Sequence, residues 1–110
     1  MGETIGVDGY LTYRRWRLRD GVDIADVVDI VQRRIIPHYR RLDPAVRLGL
    51  ESVDGSRAVL AVQRWPDRGH HRRATSGPDF DSWFERYRPI LHDWDRLVEF
   101  EAEWETVRLI

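Results

Sequence analysis

His38, Tyr39, His70 and His71, with Trp16 and Trp65, are the side chains of this 110-residue sequence whose types best lend themselves to chemistry. Imidazole changes charge near neutrality and can take or return a proton, while indole offers a broad apolar face with a single N–H donor. In a pocket, His71 or His38 would move a proton, and Trp65, Trp16 and Tyr39 would line it, the indole faces suited to stacking on an aromatic ligand. Each has a plainer reading: the tryptophans as core or interface residues, Tyr39 as core, and His38 as a surface partner of a helix C-terminus. The pair His70 and His71 stands among Arg68, Arg72 and Arg73, a composition that suits an anionic ligand, a proton shuttle or simply a solvated loop. Adjacent histidines do not readily converge on one ion, and no acidic residue completes a familiar spacing, so no metal site is expected.

Other chemistry is closed by absence. The sequence holds no Cys, Lys or Asn, and all 18 basic residues are Arg. Disulfides, thiolate nucleophiles, Cys-ligated zinc, Schiff bases and the phosphate-loop lysine are thereby excluded. A net charge of −1 argues against a nucleic-acid partner held by bulk charge. No apolar run approaches the length of a membrane span, and the first ten residues lack the pattern of a signal peptide, so a cytoplasmic location is expected. The length suits one domain, placed at 10–110 behind a flexible segment 1–9, and a chain this small gains buried surface by pairing with a second copy.

The elements that must position these residues follow from periodicity. YLTYRRWRLR at 10–19 reads as a strand ending at the Asp20-Gly21 turn. Ile24, Val27, Val28, Val31, Ile35, Tyr39 and Leu42 form one helix face, with Asp23 as cap and Pro37 kinking or ending the helix near Ile36. VRLGLESV and SRAVLAVQRW are strands joined by the hairpin signal Asp54-Gly55. The polar stretch 64–79 is a loop with room for a short helix between Asp67 and Arg73. Ser76 as cap and Pro78 in the first turn then announce a second main helix, its apolar face running Phe80, Trp83, Phe84, Tyr87, Leu91, Trp94 and Val98, with Pro89 a possible break. FEAEWETVRLI closes as a strand alternating Phe100, Ala102 and Trp104 against Glu101, Glu103 and Glu105.

Strand, helix, hairpin, helix, strand is the order of an α+β ferredoxin-like βαββαβ domain, a four-stranded antiparallel sheet with both helices on one face. Its first and last strands are neighbours. Arg15, Arg17 and Arg19 are then expected to face Glu101, Glu103 and Glu105 away from the helices, while Trp16 and Leu18 join Phe100 and Trp104 beneath them.

Residues 64–84, RWPDRGHHRRATSGPDFDSWF, resemble the antibiotic biosynthesis monooxygenase family of dimeric α/β barrels. Trp65 at a strand end, Gly77-Pro78 and Phe80 stand at the matching spacing. The resemblance implies a homodimer with sheets packed face to face, and a monooxygenase that oxidises an aromatic, polyketide-like small molecule without flavin or metal. Where many members carry a His nine residues after this Trp, the sequence has Ala74. The Asn and helix His used by haem-degrading members are also missing, so haem degradation is not expected. The alternative is a small-ligand-binding or dimeric interaction protein that keeps the fold without catalysis.

Overall fold

The computed structural model describes residues 9–110, so the expected flexible segment 1–9 lies outside the described residues except for Gly9. That residue is held by backbone hydrogen bonds to Pro66 O and from Arg108 N. The chain runs β1 (Tyr10–Leu18), α1 (Ile24–Ile30), a π-helical turn (Val31–Ile35), α2 (Ile36–Leu42), β2 (Arg47–Ser52), β3 (Ala58–Trp65), α3 (Arg68–Ala74), α4 (Pro78–Asp95) and β4 (Val98–Val107). The sheet is antiparallel throughout, in the order β2-β3-β1-β4, so first and last strands pair as the ferredoxin-like reading requires.

Asp23 caps α1, its carboxylate accepting from Ala25 N at 3.0 Å. Pro37 does not end the first helix. Proline lacks an N–H and its ring collides with the carbonyl four residues earlier, and the chain meets both problems by widening one turn into a π-helix. The Ile36 N–H reaches back five residues to Val31 O, and the helix continues to Leu42. Pro89 likewise leaves α4 unbroken through 18 residues. Ser76 does not cap α4, because its hydroxyl donates to Arg72 O at 2.8 Å and closes α3 instead. Gly77 holds the N-cap position at φ +91°, which favours glycine. The Asp54-Gly55 turn forms as expected, with Gly55 at φ +71°.

Leu18, Val27, Ile30, Val31, Ile35, Val59, Trp83, Tyr87, Trp94 and Val98 form the main core between the sheet and the helices. A second cluster of Tyr10, Val46 and Trp65 closes the far end.

One irregularity reorders the last strand. Arg15 pairs with Ala102 but Trp16 pairs with Phe100, leaving Glu101 as an extra residue in β4. Such a bulge shifts the two-residue alternation by one position, so everything beyond it changes face. Phe100 stays beside Trp16 on the helix-covered face, 5.4 Å between ring centroids, whereas Trp104 stacks on Tyr13 at 5.3 Å on the other face. The expected triple ladder is corrected accordingly. Arg15 and Arg17 do meet Glu101, at 2.9 and 3.7 Å, and Arg17 also pairs with Glu99. Glu103 pairs instead with Arg14 and Glu105 with Arg68, while Arg19 donates to Asp95 O at the end of α4.

Candidate functional site

Between the sheet and α4 lies a cavity of about 530 Å³, lined by Phe80, Trp83, Phe84 and Leu91 of α4 and by Tyr39 and Leu42 of α2. Its polar groups come from Thr12 and Arg14 of β1, Gln63 of β3, His71 of α3, Thr75, and Glu103 and Glu105 of β4. A smaller hollow of about 70 Å³ shares Arg14, Tyr39, Gln63 and Tyr87 with it and extends toward Trp16, Leu48 and Trp94. Apolar walls with a few convergent polar groups are the usual makeup of a small-molecule site.

His71 stands on α3, which forms because Asp67 caps it, accepting from His70 N at 2.7 Å. The His71 ring is wedged between Tyr10, 5.1 Å away, and Trp65, which meets it edge-on at 5.0 Å. Desolvation pushes its pKa below the ordinary value, with the Arg14 charge acting the same way and the Glu105 carboxylate opposing both. The ring is therefore neutral near pH 7, able to accept a proton. His70, the next residue, turns away to bind Asp43 at the end of α2, its Nε2 lying 2.7 Å from the carboxylate.

Trp65 is 0% exposed and does not line the cavity. It stands one layer behind, its Nε1–H donating to Gln63 Oε1 at 3.0 Å. Gln63 in turn donates from Nε2 to the Tyr39 hydroxyl at 3.2 Å. The amide orientation follows from chemistry: indole N–H can only donate, so Gln63 must offer its oxygen to Trp65 and its NH₂ to Tyr39. Tyr39 opens onto both hollows, and burial raises its pKa, while the Arg14 charge and the hydrogen bond from Gln63 work against that rise.

The other residues singled out by sequence fall elsewhere. Trp16 lies in the smaller hollow, edge-on to Trp94 and Phe100 at 5.4 Å. His38 is 6% exposed and outside the cavity lining, its ring stacked on Trp83 and Tyr87. Of the five, the structure brings Tyr39 and His71 to the cavity, Trp65 directly behind them, Trp16 to its side and His38 into the core. Sequence reasoning passed over Arg14 and Gln63. Their signal was alternation: each stands two residues before a tryptophan, Trp16 and Trp65, on the strand face the helices cover. Among the described residues no three His, Asp or Glu side chains gather as a metal site, and no helix is long and apolar enough to cross a membrane.

The architecture is the α+β ferredoxin-like fold, and solved structures share it. The chain is similar over 94% of its length to 95% of SnoaB from Streptomyces nogalater, a cofactor-independent oxygenase solved as a point mutant, with a TM-score of 0.62 and 19% identity. It is also similar to a Chloroflexus aurantiacus protein assigned to the antibiotic biosynthesis monooxygenases, with a TM-score of 0.58, 13% identity, and 92% and 93% of the two chains covered. A NIPSNAP domain protein from Burkholderia xenovorans gives 0.58 and 16%, covering 90% and 93%. At these identities the likeness establishes the fold. No protein-family profile matches the chain, and no curated protein matches it either.

Proposed function

We propose that this chain is a cofactor-independent monooxygenase for an electron-rich aromatic, polyketide-like molecule such as an anthrone. The observation that carries the reading is a half-buried, neutral His71 opening onto an aromatic-walled cavity of about 530 Å³. That volume suits a fused aromatic ring system. His71 takes a proton from an acidic ring methylene, and the resulting enolate gives one electron to dioxygen. The two radicals combine through a new C–O bond, and His71 returns its proton to the peroxide. Loss of water across the H–C–O–OH unit leaves a ketone, so CH₂ and O₂ become C=O and H₂O with no external reductant. The protein contributes desolvation, orientation and the base. His71 and Ala74 are three residues apart on α3, so His71 stands close to the place where many proteins of the resembling family carry their histidine.

The same reading includes a homodimer formed through the sheet face that the helices leave uncovered. Register puts Leu11, Tyr13, Leu60, Val62 and Trp104 on that face, and Trp104 is 43% exposed in the single chain. The single domain at 10–110 belongs to the same proposal.

Ala74 favours a second reading, a ligand-binding protein without catalysis. Its methyl packs against the Tyr10, Val46 and Trp65 cluster and offers no ionisable group. Oxygen-electrode measurements with anthrones and quinols, with flavin and metal withheld, separate the two. Uptake that falls in His71→Ala supports the oxygenase, and binding without uptake supports the alternative.

A further inference from the structure

Resting on that oxygenase reading, we propose that the Tyr39 hydroxyl and the Arg14 guanidinium form the pair of donors that holds the substrate's oxyanion, and that Trp65 acts as a positioning residue through Gln63. A phenol has one proton to give and two lone pairs to fill. Gln63 Nε2 fills one lone pair of Tyr39 at 3.2 Å. The Tyr87 ring packs edge-on against Tyr39 at 5.4 Å between centroids and fixes the phenol ring beside the cavity. Because Gln63 donates to the phenol oxygen, the Tyr39 proton is not spent on Gln63 and is left to donate into the cavity that Tyr39 lines.

Arg14 supplies the charge. It lines both hollows, and its influence reaches Tyr39, Tyr87 and His71 together. Its ion pair with Glu103 is made through Nε at 3.1 Å, so its terminal nitrogens are without a partner among the described residues. A donor fixed before the substrate arrives needs no reorganisation when charge develops, and this is the source of oxyanion stabilisation. Trp65 is the far end of the device. Fully buried, it cannot stack on a ligand, yet its single N–H dictates which way Gln63 turns and hence what Tyr39 has left to donate.

The test uses alizarin, a hydroxyanthraquinone whose visible spectrum reports ionisation. Bound to the wild-type chain, alizarin should be more ionised than in water at the same pH, and Tyr39→Phe or Arg14→Gln should remove much of that shift. Tyr39→Phe should also lower kcat about tenfold to a hundredfold with little change in KM. Trp65→Phe keeps an aromatic ring without the N–H and should reduce the shift in the wild-type background but not further in Tyr39→Phe; Gln63→Leu should behave alike if Trp65→Phe fails to fold. An unshifted spectrum, a dye that does not bind, or fully additive Trp65 and Tyr39 effects would overturn the proposal. Oxygen uptake that persists beside an unshifted dye overturns the donor pair alone, and a shifted dye with no uptake on any substrate overturns the oxygenase reading alone.

Discussion

His38 and Trp83 clasp one another: His38 Nε2 lies 3.1 Å from Trp83 O while Trp83 Nε1 donates to His38 O at 2.7 Å. The two rings stack at 4.6 Å, so α2 is locked to α4 by two hydrogen bonds and a packed face. His38→Ala should therefore cost about 2–4 kcal/mol, since it opens a cavity and strands a buried carbonyl. Urea unfolding measures this. Unchanged stability with abolished oxygen uptake would instead make His38 a catalytic group.

His71 sets a pH dependence whose sign follows from its burial. Its folded pKa is lowered, so the unfolded chain binds more protons over the window just below the ordinary value of about 6.5. The stability contributed by the neutral ring is present above that value and is lost as pH falls toward the folded pKa. Activity should be flat near neutrality and fall on the acid side. Glu105→Gln removes the charge that raises the His71 pKa and should move the acid limb to lower pH, while Arg14→Gln should move it higher. Profiles of kcat/KM against pH check both directions.

Trp104 and the Arg15–Glu101 pair report on the uncovered sheet face together. Sedimentation of the wild-type chain should give about twice 13.1 kDa, and Trp104→Glu should return it to the single-chain mass. In a dimer that dries this face, the coupling of Arg15→Gln with Glu101→Gln should exceed about 1 kcal/mol; exposed pairs give about 0–1 kcal/mol. A wild-type monomer with negligible coupling would contradict the interface.

Element order, both helix faces, the Asp54-Gly55 hairpin and the pairing of first and last strands were legible in the sequence, because each rests on local periodicity or turn chemistry. Pro89 misled, since α4 runs unbroken past it, held through Trp83, Tyr87 and Trp94 on either side, whereas Pro37 does disturb its helix, as a π-helical turn at Val31–Ile35 and not as an end near Ile36. The Glu101 bulge was not legible. Strict alternation from Phe100 to Glu105 looks identical with or without one extra unpaired residue, and only the register against β1 reveals that Trp104 has changed face. The cavity was half legible. Tyr39 and His71 were found by residue type, but the Trp65 to Gln63 to Tyr39 chain joins residues 24 positions apart at its second link, and that proximity belongs to the fold.

The role of His71 as the base of a cofactor-independent oxygenase is decided by oxygen uptake with an anthrone, catalysed by wild-type protein freed of flavin and metal and compared with His71→Ala. Uptake of one O₂ per ketone formed is expected, with a loss of about a hundredfold or more in the variant, in the range for removal of a general base. Wild-type protein that binds the anthrone but consumes no oxygen, or a His71→Ala variant as active as wild type, would contradict it.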